Sequence, residues 1–230
     1  MLNVDVMMSS LPLYLEGTLV TLRLLLVALI AGLVVAIPLA VMRASPNPWV
    51  SRPVWLFTYV FRGTPLLVQL FLIYYGLAQF AWMRESIVWP IFASAWFCAM
   101  LAFAINTCAY TTEIIAGAIS ATNHGEVEAA KAMGMSPTIL YRRILLPSAL
   151  RRSLPAYSNE VIMMLHGTSI ASIVTLLDIT GAAREINSKF YLPFEAFITA
   201  AAFYLALTFV LVSLFHLAEK RWLAHLAPQT

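Results

Sequence analysis

Five stretches of the chain, approximately 18 to 41, 54 to 80, 88 to 114, 156 to 177 and 196 to 218, are apolar all round, not along one stripe. A helix needs about 20 apolar residues to cross the hydrocarbon core, and a segment facing lipid must satisfy every backbone polar group within itself. Each stretch therefore predicts a membrane-spanning helix. A transmembrane β-barrel would instead alternate apolar and polar residues over segments of about ten, and these runs do not alternate. Pro46, Pro48 and Pro53 punctuate the first connection, and a polar segment from Gly181 to Pro193 precedes the last span. The opening MLNVDVMMSSLPLYLEG lacks a basic region and carries Asp5 and Glu16, so the first apolar stretch is expected to be a retained span and not a cleaved leader.

The long connection, about 120 to 155, is patterned in a way that linkers are not. It contains HGEVEAAKAMGMSPTILYRRILLPSALRRSLP, with apolar periodicity in place of Gly, Ser and Pro tracts. Glu126 to Met133 is a run of helix formers with acids in its first turn, and Gly134 stands where a left-handed stop is needed. Ser136 followed by Pro137 predicts the start of a second short helix carrying Ile139, Leu140, Ile144 and Leu145. Periodicity alone leaves two readings: an amphipathic hairpin lying on the membrane, or a docking knob for a partner.

Composition agrees with the pattern. Of 230 residues, 61% are hydrophobic and 11% charged, with a mean hydropathy of +0.84; a soluble domain carries about 45–50% apolar and about 25% charged residues. The class is an all-α integral membrane protein with about five spans in a single domain over 1–230, too short for a separate soluble catalytic domain. The formal net charge is +3, and the bases are unevenly placed. Arg43, Arg52, Lys131, Arg142, Arg143, Arg151, Arg152, Lys220 and Arg221 fall in one set of connections; Arg84, Arg184 and Lys189 fall in the other. The excess of bases on cytoplasmic loops predicts an external N-terminus and a cytoplasmic C-terminus. No basic patch is interleaved with aromatics as nucleic-acid binding requires, and Cys98 and Cys108 share one apolar segment, which argues against a disulfide framework.

Within the long connection, Glu128, Ala129, Ala130, Gly134, Ile144, Leu146 and Pro147 match in order and spacing the EAA loop of permease subunits of ABC importers. FRGTPLLVQL at Phe61 to Leu70, NTCAYTTEIIAGAI at Asn106 to Ile119 and NEVIMMLHGTSIASIV at Asn159 to Val174 resemble the polar amino-acid branch of that family. The C-terminal EKRWLAHLAP resembles the M-type subunits of histidine, lysine, arginine and ornithine importers. The likeness runs from Gly17 to the last helix. Many relatives have Arg before the Gly of the third-span motif, where this chain has Ala116 before Gly117, and many have Lys where this chain has His166. The resemblance implies a bacterial inner-membrane subunit that pairs with a second, different permease chain and docks on an ATPase dimer through Glu126 to Leu146. It also implies that an external solute-binding protein delivers a cationic L-amino acid (arginine, ornithine, lysine or histidine), with neutral polar or acidic amino acids as alternatives, and that ATP and Mg are held by the ATPase.

The chain itself carries no G-x-x-x-x-G-K-[ST] phosphate loop. His124, His166, His216 and His225 stand far apart without Cys or carboxylate at ligand spacing, and a G-x-S-x-G elbow is absent. Metal and hydrolase chemistry are therefore not expected, and an intramembrane hydrolase is a remote alternative. An ATPase-independent secondary carrier or channel is the nearer one, against which the folded connection speaks. Charges inside a bilayer demand partners or water: Arg62 and Glu113 are read as an ion pair in preference to direct substrate binding, which leaves Glu160 as a countercharge for a cationic solute or a residue of the inner gate, and Asn106, Tyr110, Glu160, Thr64 and Glu113 are the candidate pathway residues. Asn106, Tyr110, Glu113 and Gly117 recur on one helical face. Asn106 stands nearest the midplane, where its amide serves either a solute or a neighbouring helix, and the Tyr110 ring offers a face to a cation. Gly63, Thr64 and Pro65 break the second span and free backbone groups, whether as part of a site or as a Pro kink.

Overall fold

The computed structural model describes residues 3–223, which are helical apart from short connections. His225 and the end of the EKRWLAHLAP segment lie outside the described residues. The principal helices are α1 (Leu11–Arg43), α2 (Pro48–Gly63), α3 (Leu66–Gln79), α4 (Ala95–Ser120), α5 (His124–Ala132), α6 (Pro137–Val174), α7 (Ile179–Phe190) and α8 (Pro193–Trp222). Among the described residues, α1, α4 and α8 are each long and apolar enough to cross a membrane alone. Two bent pairs, α2 with α3 at 101° and α6 with α7 at 46°, bring the spans to five if each pair is one crossing. At 1.5 Å per residue, the 33 residues of α1 extend about 50 Å, beyond a hydrocarbon core about 30 Å thick.

Local sequence sets the starts. Asn47 caps α2 by accepting from the Trp49 amide (3.0 Å) with Pro48 at the first helical position, and Asn123 caps α5 by accepting from Gly125 (3.0 Å). The third span begins at Ser94, whose hydroxyl accepts from the Phe97 amide (3.4 Å), and not at residue 88, because Trp89–Phe92 forms a separate turn of helix.

Helix association in lipid relies on close packing, since lipid tails are as apolar as the side chains. The central pair is α1 and α4, which run parallel. Ala28, Gly32, Ala36 and Ala40 recur every four residues on the buried face of α1. A Cβ on Gly32 would fall 2.5 Å from Thr107 Cγ2 and 3.1 Å from the Ala104 carbonyl, so the helices meet there backbone to side chain. Leu24, Leu25 and Ala28 of α1, Ala99, Ala102 and Phe103 of α4, and Val161, Met164 and Leu165 of α6 form the main core. Outward-facing Leu26, Ile30 and Val34 on α1 and Leu205, Phe209 and Leu217 on α8 are exposed, as lipid-facing positions should be.

One boundary departs from the sequence reading. No separate second surface helix closes the long connection. Pro137 opens α6, which runs through the basic stretch 142–152 and on into the fourth span. A π-helical turn at Tyr141–Leu145 precedes Pro147. The wider turn resets the backbone where a proline ring would otherwise meet the carbonyl of Arg143, four residues back, so the helix continues.

Candidate functional site

The break between α2 and α3 builds one wall of a cleft. Pro65 biases its predecessor to extended backbone, and Thr64 has φ −114 and ψ 143. The resulting bend is 101°, far beyond a Pro kink. Three carbonyls left by the break are taken up within the chain. The buried Gln69 amide donates to Phe61 O (2.7 Å) and Thr64 O (3.1 Å), and also to Thr64 Oγ1 (2.9 Å), while the Tyr110 hydroxyl donates to Arg62 O (3.3 Å). Asn106 Nδ2 in turn donates to Gln69 Oε1 (3.1 Å), so the neighbouring-helix role of Asn106 is present. The Asn106 carbonyl oxygen remains for the cleft.

The cleft has a volume of about 510 Å³, and its lining includes Arg62, Thr64, Asn106, Tyr110, Glu160 and His166 together with Met163 and Met164. Four of the five sequence-read pathway residues thus meet in one place. Arg62 lies over the Tyr110 ring, 5.3 Å from its centroid. Glu160 is 8% exposed; among the described residues its carboxylate forms no ion pair within 4.0 Å, and the Thr107 hydroxyl and the Arg62 guanidinium are the polar groups that face it. His166 lies within 3.2 Å of Thr208 Oγ1 on α8.

Glu113 does not join the cleft, and the expected Arg62–Glu113 pair does not form. Glu113 Oε1 instead accepts from Arg43 Nε (2.8 Å) and Thr58 Oγ1 (2.6 Å), the single ion pair among the described residues. The reason is register. Helices α2 and α4 run antiparallel, so Thr58 stands level with Glu113, and Arg62, a turn further along α2, stands level with Tyr110. Arg43, in the last turn of α1, reaches Glu113 and is held by Ser51, whose hydroxyl accepts from Nη1 (3.3 Å). Sequence reasoning missed Gln69, Thr58 and Arg43. For Gln69 the signal was present: it is the lone amide in an apolar run just after a proline break, and such a group must find partners.

The second candidate surface is the hairpin of α5 and the start of α6. Gly134 has φ +74; its amide donates to Lys131 O (2.9 Å) and that of Met135 to Ala130 O (3.2 Å), a Schellman stop. Ser136 occupies the cap position of α6 without a side-chain cap bond. The EAA-like residues divide by role. Ala130 is buried against Leu140 and Leu145, with Ile144 beside them, and Leu146 packs on a cluster containing Ala40 and Ile115. Glu126, Glu128, Ala129 and Pro147 are exposed. The hairpin thus has its own small core and presents an outward face.

An all-α bundle with a broken span beside a polar cleft, joined to a folded hairpin, is the architecture of a multi-pass membrane protein with a polar path in its bundle. Residues 28–223 match the family of binding-protein-dependent transport system inner membrane components, and the chain belongs to that family. It is 50% identical over 219 residues to the histidine/lysine/arginine/ornithine transport system permease protein HisM of Escherichia coli (strain K12), covering 93% of this chain and 90% of HisM. It is 46% identical over 219 residues to the nopaline transport system permease protein NocM of Agrobacterium fabrum, covering 95% of this chain and 91% of NocM. The crystal structure of an amino acid ABC transporter with histidines contains a similar chain, with a TM-score of 0.85 and 35% identity, covering 96% of this chain and 99% of that one. The chain is thus a permease subunit, a multi-pass inner-membrane component.

Proposed function

We propose that this subunit forms half of the translocation pathway of an ABC importer for cationic L-amino acids. The observation that carries the reading is the cleft, where Arg62 and Glu160 share one space with Asn106 and Tyr110. Arg62 suits the substrate α-carboxylate. Glu160, which forms no ion pair within 4.0 Å among the described residues, suits an ammonium or guanidinium, and a buried carboxylate of this kind gains most when a ligand supplies a close counterion. The amino acids named for the HisM transport system, histidine, lysine, arginine and ornithine, fit that chemistry.

In this reading a second, different permease chain completes the pathway, an external solute-binding protein delivers the substrate, and the exposed face of α5, with Glu126, Glu128 and Ala129, docks on an ATPase dimer that holds ATP and Mg. The N-terminus lies outside and the C-terminus in the cytoplasm, as the uneven placement of bases supports. ATP-driven closure of the ATPases moves the docked hairpins and alternates the access of the cleft. Such coupling requires the substrate to bind the two states with different free energies.

The test is uptake by the assembled transporter carrying Glu160→Gln. Arginine uptake is expected to fall at least tenfold relative to uptake of a neutral analogue such as citrulline. An equal loss for both substrates overturns the countercharge role.

A further inference from the structure

Two hollows adjoin where α6 begins and α8 ends, away from the cleft. One, of about 370 Å³, is lined by Arg143, Arg151 and Arg152, with Glu126 as its one carboxylate. The other, of about 470 Å³, is lined by Pro147, Leu150, Arg151, Arg221 and Trp222. They share Pro147 and Arg151. None of these four arginines has a carboxylate within 4.0 Å among the described residues, where Arg43–Glu113 is the single ion pair. Arg152 is held in place: Nη2 donates to Ala118 O (2.9 Å) and Thr122 Oγ1 (2.6 Å). Its Nε is buried without a partner.

The groove therefore presents an excess of positive charge, anchored at Arg152 and otherwise exposed at Arg143, Arg151 and Arg221, and favours an anion. Its surroundings say which kind. Leu214 (57% exposed) and Leu217 (64%) lie on the face of α8 that reaches Arg221 one turn later, and Trp222 is 54% exposed at the end of that helix. A lipid-facing apolar rail thus ends in guanidinium groups beside an indole, the arrangement of side chains that meets the membrane interface. We propose that this groove binds the headgroup of an anionic phospholipid, its phosphate between Arg151 and Arg221 and its acyl chains along Leu217 and Leu214. An acidic protein segment would satisfy the charges but would leave the apolar rail unused.

The test uses the transporter purified with its partner subunits and placed in phosphatidylcholine nanodiscs. Phosphatidylglycerol brominated on its acyl chains is titrated in, and quenching attributable to indole 222 is obtained by difference from Trp222→Phe. Brominated phosphatidylcholine and inorganic phosphate are run in parallel. Phosphatidylglycerol is expected to quench at far lower mole fraction than phosphatidylcholine, with no displacement by millimolar phosphate. Since a base near a membrane surface contributes about fivefold to such binding, Arg151→Gln with Arg221→Gln is expected to weaken the effect about thirtyfold. The corresponding double Lys variant keeps most of it, which separates lost charge from lost fold. Equal quenching by the two lipids overturns the proposal, as does displacement by inorganic phosphate. So does a Gln pair that retains the lipid preference but loses the ATPase on purification, which would make the groove a protein-docking surface.

Discussion

Replacing Gln69 by Met removes the side chain that ties the helix break to α4, with little change of shape. The amide is 5% exposed and makes four contacts of 2.7 to 3.1 Å, three as donor near the break and one as acceptor from Asn106. The groups it leaves behind differ in their fate. Thr64 is exposed and regains water, Phe61 is half-buried, and Asn106, at 7% exposure, keeps an unpaired donor. An unsatisfied buried polar group costs about 1–3 kcal/mol, so the loss is dominated by Asn106 and totals about 2–4 kcal/mol once a fraction for the Phe61 carbonyl is added. Thermal unfolding of the solubilised transporter, at about 2–4 °C per kcal/mol for a domain of this size, should show a drop of several degrees. Uptake should fall with it as the break loosens. The decisive variant is Gln69→Met combined with Asn106→Leu, which removes the orphaned donor as well. It is expected to recover about 1 kcal/mol or more relative to the sum of the singles, within the range of contacting pairs. Strict additivity, or a single Gln69 variant with unchanged melting and uptake, refutes the bracing role.

Gly134→Val forces a β-branched residue into φ +74 at a position where a Cβ meets nothing within 4 Å. The cost, at least about 1–2 kcal/mol, is purely of the backbone. ATP hydrolysis should uncouple from uptake with insertion intact, Gly134→Asn should be milder, and undiminished uptake by the Val variant would count against the docking hairpin. Arg43→Met should lower stability by about 1–2 kcal/mol by stripping Glu113 of its partially buried counterion. Arg62→Met should leave melting nearly unchanged, and the opposite order would reverse the pairing assignment. Gly32→Leu should cost about 1–3 kcal/mol or more through overpacking against Thr107 and Ala104. A melting temperature equal to that of the parent would show that α1 and α4 do not meet there.

What the sequence disclosed and what it concealed follow a physical division. Periodic and local features were legible. The apolar runs located the helices, Gly134 announced its left-handed turn, Thr64–Pro65 announced the break, and one helical face gathered Asn106 and Tyr110. Features that depend on the register between helices were not. Arg62 and Glu113 occupy neighbouring spans at nearly the same depth, and nothing in either segment reveals that one turn of antiparallel offset hands Glu113 to Arg43 and leaves Arg62 over Tyr110. The need of Gln69 for partners was legible from its place after the proline break, but its acceptor half was hidden for the same reason, because the partner lies on α4. The start of α6 at Pro137 was legible, but its continuation into the fourth span was missed because a basic, proline-containing stretch reads as surface, whereas a π turn lets the helix pass through it.

The unbroken course of α6 from Pro137 past Glu160 turns chain length into a functional quantity. A helix advances about 1.5 Å and turns about 100° with each residue. The stretch between hairpin and cleft is therefore both a ruler of about 35 Å and a dial. One residue inserted or deleted there would swing Glu160 out of the cleft, or turn the hairpin relative to the bundle, without altering any side chain at either end. Substitutions along this stretch adjust packing, but its residue count fixes the angle between the exposed face of the hairpin and the Glu160 carboxylate.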